Sequence, residues 1–386
     1  MNLTYTPDQI ALRTEIRAWL ASHVPSHPLP SFDASRTGFE AHRAWERTLA
    51  EGRWSMVTWP KDYGGRGLDL IQWLIFEEEY YRAGAPGRVN QNGIFLLGPT
   101  LMEFGTAEQK ARFLPAMASG DEIWAQAWSE PQAGSDLAAV RASATVNGAE
   151  YVLNGHKIWS SRAAFADWAF GLFRSDPASD RHKGLSLILF PLRAPGVTVR
   201  PIARIDGKPG FAEIFLDNVR VPASYRVGDE GQGWHVCMVT AGFERGLMLR
   251  SPARYQMAAK KLVALYRRHA ERVDVSVEAA VTRAWMDAES YALSIYATAS
   301  RLMAGGSIGP ESSTNKVFWS ELDVALTRTA LSILGAHAEL LPEAPHTVDT
   351  GTWLDDYIFA LAGPIYGGAN EIQRNIVAER MLGLPR

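Results

Sequence analysis

Residues 145–155 indicate the fold class most directly. Thr145-Val146 and Tyr151-Val152-Leu153 flank Asn147-Gly148, and a second pair, Asn154-Gly155, follows at once. An Asn-Gly pair between β-branched and aromatic residues is a strong signal for a hairpin, because the favoured two-residue turn needs positive φ at its central positions. The sequence therefore predicts a hairpin at Asn147-Gly148 and a further turn at Asn154-Gly155.

Short β-rich runs continue beyond this hairpin and are separated by turn residues. They cover residues 168–173, 185–190, 197–201 and 211–216. A succession of short strands punctuated by turns is typical of an antiparallel sandwich or barrel. We therefore predict a central β domain over residues 122–228.

Helical patterns occupy the chain on both sides of this block. The first helix begins with Thr6 as N-cap, Pro7 at the first helical position and Gln9 completing a capping box. The other helical patterns cover residues 37–52, 69–83, 92–104 and 107–118 before the strands, and 232–269, 277–303, 313–337 and 370–382 after them.

The order of elements predicts an α+β fold in three parts. An N-terminal helical domain covers residues 1–121, and a C-terminal helical bundle covers residues 229–386. Segregation of helices from strands argues against a βαβ dinucleotide-binding fold. Accordingly Gly305 to Gly309, which no strand precedes, is interpreted as an interhelical loop rather than a phosphate-binding loop.

The composition argues against several classes of protein. The chain has 386 residues, of which 47% are hydrophobic and 21% charged, as in ordinary globular proteins. The formal net charge of −3 gives no basic excess, so nucleic acid is not an expected partner. No run of 18 apolar residues is present, so we expect no membrane span.

Cysteine usage and the first helix indicate a cytoplasmic protein. Cys237 is the one cysteine, which rules out an intrachain disulfide and disfavours a thiolate metal site, and we predict no metal. A small buried hydrophobic role is expected for its side chain. Asp8, Arg13 and Glu15 lie in the first helix, where a secretory signal would be apolar.

Four strings, in order along the chain, resemble signatures of the acyl-CoA dehydrogenase family. They run from Gln126 to Asp136, from Asn154 to Ser161, from Gly242 to Arg245 and from Ile365 to Arg374. The resemblance covers nearly the whole chain and agrees with the helical–β–helical order. It implies an FAD enzyme that removes two hydrogens from Cα and Cβ of an acyl-CoA thioester.

The resemblance implies flavin contacts in the first two strings. Gln126, Trp128 and Ser129 would run beside the isoalloxazine, with the Ser129 hydroxyl on its pyrimidine edge; the family more often has threonine there, and the hydroxyl is retained. Trp159 would pack on the flavin face away from the substrate. Next to it, Ser160 and Ser161 would contact the cofactor, with Ser161 near N5, the hydride acceptor.

Further contacts are implied elsewhere. Asn370 and Glu371 open the last helix, whose N-terminus would face the flavin pyrophosphate. The other implied cofactor residues are Gly335 and Ala369, and the implied substrate contacts are Ser135 at the pantetheine arm, Phe243, Arg245, Tyr366 and Gly368. The acyl pocket candidates are Asn90, Gln91, Asn92, Ile94, Phe95 and Leu97.

The catalytic base is predicted from two positions read together. Many family members carry the base as Glu in an Ile-Tyr-Glu-Gly string, where this chain has Gly367. Isovaleryl-CoA and long-chain enzymes place it on a helix of the third domain, as a Glu directly before an Arg. This chain has Glu244-Arg245 there, so we predict Glu244 as the base. An unmarked helical glutamate is usually solvated or paired. The backbone N–H of Gly367 would hold the thioester oxygen.

Several alternatives stay open. The chain lacks the Arg-x-x-Phe-Gly string that reaches the FAD of a neighbouring subunit, since the corresponding residues 268–274 differ. The expected electron acceptor is electron-transfer flavoprotein, and the expected assembly is a homodimer or homotetramer, or a heterotetramer with a related chain, as in some steroid-degrading enzymes. An acyl-CoA oxidase and a non-catalytic FAD-binding partner subunit are the competing functions. Lack of a basic terminal region argues against a DNA-associated relative.

Overall fold

A computed structural model describes residues 4–245, 250–341 and 344–385; the side chains of Glu244, Arg245 and Thr350 lie outside this description. The elements follow the predicted order, with helices before and after a central set of strands. The helices are α1 (Pro7–His23), α2 (Arg36–Glu51), α3 (Leu70–Arg82), α4 (Gly98–Phe104), α5 (Ala107–Ala118), α6 (Gly233–Arg245), α7 (Pro252–His269), α8 (Val275–Met303), α9 (Ser312–Leu334), α10 (Thr352–Ala360) and α11 (Asn370–Ile376). The strands are β1 (Trp124–Ala127), β2 (Ser143–Asn147), β3 (Glu150–Ser161), β4 (Trp168–Arg174), β5 (Leu185–Pro191), β6 (Val197–Ile202), β7 (Phe211–Pro222) and β8 (Arg226–Val227).

The chain divides into two compact units, neither of which is a continuous stretch. One unit, here called the sheet unit, comprises residues 23–68 and 86–244. The other, the helical unit, comprises residues 1–22, 69–85 and 245–386. Among the described residues, no helix combines the length and apolar character that a membrane span requires.

The strands of the sheet unit form one sheet in the order β6-β7-β3-β2-β4-β5-β8, with β1 beside β4. Most neighbours are antiparallel, as predicted. β1 and β4 are parallel over Trp124 to Ala127, and one residue pair joins β2 to β4 in parallel. These parallel pairings were not predicted, because they join strands that no local turn connects.

The first predicted hairpin is confirmed and the second turn is wrong. Asn147 pairs with Glu150 across the β2–β3 hairpin, and Gly148 has φ 64°. Asn154-Gly155 lies inside β3, where the register with β7 shifts between Leu153 and Gly155. Gly155 has φ 144°, and a Cβ there would lie 2.5 Å from Cβ of Ala142. The glycine therefore permits a bulge and a close approach of backbone, not a turn.

Strands β4 and β5 are buried on both faces, whereas β3 has buried and half-buried residues and most of β2 is exposed. Every residue from Leu185 to Phe190 is buried, whereas β6 alternates between half-buried and exposed residues. The core joins Tyr151 and Ile214 of the sheet to Phe39 of α2 and Phe173 of β4. This packing makes β3 and β4 a firm support for residues at their ends.

The helical unit is held by apolar packing and by ion pairs. α7 packs against α8 and α9, and α9 packs against α10 and α11. Tyr255 and Tyr291 meet edge to face with ring centroids 5.4 Å apart. The early segments join through polar contacts: the Tyr5 hydroxyl lies 2.7 Å from that of Tyr296, and Arg13 pairs with Glu78.

The helix predictions hold in most places and fail in a few. The capping box of α1 is present, with the Gln9 side chain accepting from the Thr6 N–H at 3.0 Å. Gly305 to Gly309 lies between α8 and α9, as predicted. The predicted helix 232–269 is two helices, because Pro252 fits only the first turn of a helix. The predicted helix 92–104 begins with a π-helical turn, Asn92–Leu97, and α10 was not predicted.

Replacing Gly155 by alanine should destabilise the protein by about 2 kcal/mol, because the new Cβ meets Ala142 and the backbone is strained. Gly148→Ala is the matched control: its φ is also positive, but no atom lies within 4 Å of the added Cβ. The control should cost only about 1 kcal/mol. Urea unfolding of both variants measures the difference, and equal losses would contradict the close-approach explanation.

Candidate active site

The first flavin string follows β1 and is held by its own carbonyl groups. The Trp128 carbonyl accepts from the Lys157 ammonium at 3.3 Å, and the Ser129 carbonyl accepts from the Ile158 N–H at 2.9 Å. Glu130 and Ala133 exchange two backbone hydrogen bonds, at 2.9 and 3.0 Å. Trp128 and Ser129 are therefore fixed to β3, and Glu130 and Ala133 are fixed within their own turn, while Gln126 remains part of β1.

The second flavin string ends β3 and has an unusual backbone. Trp159 has φ 60° and Arg162 has φ 63°, a region that side chains other than glycine seldom occupy. Trp159 is 57% exposed, although every other residue of β3 is buried or half-buried. Strained backbone presenting an exposed indole is typical of a binding surface.

Two buried polar atoms near these strings have no hydrogen-bond partner among the described residues. They are Oγ of Ser160 and Nε1 of Trp128. A buried donor without a partner costs about 1–3 kcal/mol, so native proteins retain one where a ligand satisfies it.

The structure brings the two flavin strings together through the Ile158–Ser129 hydrogen bond. Ser129 and Ser161 are half-buried hydroxyls on this surface, and Trp159 supplies an exposed ring. Hydroxyl and N–H donors beside a flat aromatic side chain match a planar heterocycle with hydrogen-bonding edges. The residues present therefore fit a flavin.

A buried ion pair supports the first string. Lys157 Nζ lies 2.7 Å from Glu130 Oε1, and the two side chains are 0% and 3% exposed. Burial alone raises the pKa of Glu130, but the Lys157 charge and the N–H groups of Arg141 and Ala142 outweigh it and hold that pKa below its usual value. Burial in turn lowers the pKa of Lys157.

Ser135, the predicted pantetheine contact, lies in the turn after the first string. It is exposed, as is the preceding Gly134, where an added Cβ would meet no atom within 4 Å. The neighbouring Asp136 pairs with Arg181 at 2.7 Å. This turn is open to solvent within the sheet unit.

In the helical unit, the loop before α11 is built around two adjacent glycines. Gly367 has φ 66° and Gly368 has φ 85°, so side chains would be strained at both. The Gln373 amide, in a fully buried side chain, donates to the Gly368 carbonyl at 3.2 Å and to that of Gly367 at 3.5 Å. The Asn370 N–H donates to the Pro364 carbonyl at 2.8 Å. The loop is closed on itself by these bonds.

The side chains at the start of α11 are engaged within the helical unit. Asn370 Oδ1 accepts from Lys316 at 2.7 Å and from Ser320 at 3.2 Å. Ala369 is the N-cap residue and is half-buried, and Glu371 is exposed. Gly335 follows α9 and is exposed.

Tyr366, a predicted substrate contact, packs in an aromatic group. Its ring lies 5.9 Å from that of Trp319, and the Arg250 guanidinium lies 5.2 Å from the Tyr366 ring. The Tyr366 hydroxyl oxygen is buried with no hydrogen-bond partner in the described part of the chain.

The fourth string ends α6. Phe243 is half-buried within that helix. The backbone of Glu244 and Arg245 completes α6, but their side chains lie outside the described residues. The role of Glu244 as base is therefore untouched by the geometry.

Three of the predicted acyl-pocket residues, Ile94, Phe95 and Leu97, are buried in the π-helical turn. Asn90 is buried, and its amide donates to the carbonyls of Met117 and Glu122 and accepts from the Trp124 N–H. Its amide thus serves to anchor β1.

Sequence reasoning missed the residues that support the two loops. Lys157, Glu130 and Gln373 lie within the quoted strings, but nothing predicted their hydrogen bonds. A signal was present for Lys157, because it lies in the β-rich second string, where a lysine is out of place unless it has a partner. No comparable signal marks Lys316, which is buried in α9.

Comparison with known proteins identifies the family. Residues 6–121, 125–219 and 231–382 match, respectively, the N-terminal, middle and C-terminal domains of acyl-CoA dehydrogenases. The chain belongs to the acyl-CoA dehydrogenase family, which is a family of flavoprotein oxidoreductases.

Two of the similar proteins are from Mycobacterium tuberculosis. The chain is 41% identical over 382 residues to the acyl-CoA dehydrogenase IpdE1 of Mycobacterium tuberculosis, covering 97% of each chain. It is 33% identical to FadE26 of the same organism, covering 100% of this chain and 99% of FadE26.

Two solved structures are similar along the whole chain. The Tcur3481-Tcur3483 steroid acyl-CoA dehydrogenase superposes with a TM-score of 0.88 at 30% identity, covering 100% of both chains. The ChsE4-ChsE5 complex of Mycobacterium tuberculosis gives a TM-score of 0.86 at 31% identity, again covering 100% of both chains.

Replacing Ser160 by alanine should leave the stability of the flavin-free protein unchanged or raise it by up to about 1 kcal/mol, because the hydroxyl has no protein partner. Ser55→Ala is the control, since the buried Ser55 hydroxyl donates to the Ala118 carbonyl at 2.6 Å. That control should lose about 1–2 kcal/mol. Urea unfolding of both apoproteins measures the effect; a loss at Ser160 equal to that at Ser55 would show a partner within the protein.

Proposed function

We propose that the protein catalyses FAD-dependent α,β-dehydrogenation of an acyl-CoA thioester to the trans-2-enoyl-CoA. The observation that carries this proposal is the surface formed by the two flavin strings, where an exposed Trp159 lies beside the unpartnered Ser160 hydroxyl. Membership of a flavoprotein family supplies the cofactor class. The proposed domain boundaries remain 1–121, 122–228 and 229–386.

The proposed cofactor contacts are those that the family resemblance implied. Gln126, Trp128 and Ser129 would line one edge of the flavin, and Trp159, Ser160 and Ser161 would lie against its ring. Gly335, Ala369, Asn370 and Glu371 are the proposed contacts in the helical unit. When bound, FAD accepts the β-hydrogen of the substrate as a hydride.

Glu244 is the proposed general base for the α-proton. A carboxylate in a site that a bound acyl chain dehydrates has its pKa raised, which suits proton abstraction near neutral pH. Gly367 cannot serve as a base, and its backbone N–H would instead donate to the thioester oxygen as negative charge develops there. Gln373 supports this role, because it holds the carbonyls of Gly367 and Gly368.

The proposed substrate is an acyl-CoA with a bulky acyl group, of the steroid-derived kind. Support comes from the name of a similar structure, a steroid acyl-CoA dehydrogenase, and from the bare glycine at position 367. Ser135, Phe243, Arg245, Tyr366 and Gly368 are the proposed substrate contacts. A cytoplasmic location fits an enzyme of CoA thioesters.

The proposed electron acceptor is electron-transfer flavoprotein. For the assembly, we propose an oligomer, either of this chain alone or with a related chain. Two similar solved structures carry the names of two proteins in their titles, which favours the mixed arrangement.

Replacing Glu244 by glutamine should abolish bleaching of the flavin by acyl-CoA while FAD stays bound, because glutamine cannot take the proton. Loss of a general base typically lowers the rate by about 10²–10⁴-fold. Anaerobic titration with a panel of acyl-CoA thioesters, followed by flavin absorbance, measures this and identifies the substrate class.

The control is Glu278→Gln, an exposed glutamate on α8 in the helical unit, which should bleach as the parent does. Full activity of the Glu244 variant would overturn the assignment of the base. A yellow parent that no acyl-CoA bleaches would support the non-catalytic partner subunit, and stoichiometric hydrogen peroxide during turnover would support an oxidase.

A further inference from the structure

The buried ion pair between Lys157 and Glu130 is fully hydrogen-bonded. The Lys157 ammonium donates to Glu130 Oε1 at 2.7 Å, to the Leu172 carbonyl at 2.5 Å and to the Trp128 carbonyl at 3.3 Å. Those three bonds use its three protons. The cation therefore joins β3, β4 and the segment that follows β1.

The carboxylate is equally occupied. Glu130 Oε1 accepts from Lys157 and from the Ala142 N–H at 2.9 Å, and Oε2 accepts from the Arg141 N–H and the Gln132 amide, both at 2.7 Å. Burying two charges costs several kcal/mol per ion unless such bonds replace the lost water. A pair of apolar side chains would fill the same space without that cost. We therefore ask what the hydrogen bonds of the ion pair hold in place.

Those bonds fix both ends of one loop. The Trp128 carbonyl and the Ser129 carbonyl are held at its beginning, by Lys157 and by the next residue along β3, Ile158. The N–H groups of Arg141 and Ala142 are held at its end, by Glu130. Ser129 and Ser135, the proposed flavin and pantetheine contacts, lie between those ends.

We propose that Lys157 is a positioning residue for the reaction: with Glu130 it sets the loop from Trp128 to Ala142 in the conformation that binds the flavin. This inference rests on the proposed function. Lys157 touches neither substrate nor cofactor in this role, and its effect passes through the Trp128 carbonyl and the peptide of Ser129.

The other end of β1 offers a matched comparison. Arg43 is a second buried cation that donates to two carbonyls, those of Gly120 at 2.9 Å and Asp121 at 2.7 Å. It pairs with Asp167 and, at 3.6 Å, with Glu40. It holds the chain where it enters β1, whereas Lys157 holds the chain where it leaves. If the buried cations only stabilise the sheet, their removal should have the same consequences.

The test compares Lys157→Met with Arg43→Met in the full chain. Apoproteins are titrated with FAD, and thermal unfolding is measured in parallel. Lys157→Met should weaken FAD binding by about tenfold or more, as expected for loss of a hydrogen bond to a charged group, and Arg43→Met by less than about threefold. Both should unfold at lower temperature than the parent.

FAD binding by Lys157→Met within about threefold of the parent would overturn the inference, and so would equal weakening by Arg43→Met at equal loss of stability. If the parent binds FAD, a result against Lys157 overturns this inference and leaves the proposed function standing. A parent that binds no FAD overturns both.

A double variant keeps the test decisive if Lys157→Met does not fold. Lys157→Met with Glu130→Gln leaves no buried charge unpaired, so stability should recover, while the Trp128 carbonyl still lacks its donor. FAD binding should therefore remain about tenfold weaker than in the parent. Recovery of FAD affinity together with stability would show that the pair is structural only.

Discussion

The arrangement of the candidate site depends on how the chain leaving β1 is fastened to the middle of β3. Three contacts bring the two flavin strings side by side: the Ile158 N–H donates to the Ser129 carbonyl, and the Lys157 ammonium donates to the Trp128 carbonyl and to Glu130. All three start from β3, which lies between β7 and β2 in the sheet. The apolar core thus holds β3 rigid, and the buried charges orient the loop that follows β1.

Local chemistry predicted most of the fold. The bounds of β4 and β5 follow from runs of apolar residues that end in turn residues, and α1 from its capping box. The two Asn-Gly pairs show the limit of this reasoning. At Asn147-Gly148 the glycine is required by its own turn. At Gly155 it is required by Ala142, which lies before β2 and approaches the backbone of β3 closely. A dipeptide carries no information about such a neighbour.

The candidate site was predictable where a side chain's identity carries the signal. The string of Asn154 to Ser161 pointed to Trp159 and Ser160, and the structure places an exposed indole and an unpartnered hydroxyl there. The supporting network was not predictable, since the sequence does not show that Lys157 is enclosed by Glu130, Trp128 and Leu172. Enclosure of a cation is a property of tertiary packing. Glu244 stays a prediction, because its side chain lies outside the described residues.

The interleaving of the two units imposes an order on synthesis. α3 and most of α1 belong to the helical unit, yet they emerge from the ribosome long before residues 245–386, which Tyr5 contacts through Tyr296. While residues 23–68 and 86–244 condense, the apolar faces of these early helices lack the partners that will cover them. Such contacts between distant parts of a chain slow folding and leave intermediates open to aggregation. The nascent chain therefore exposes apolar surface to which a chaperone can bind until its last helices have been made.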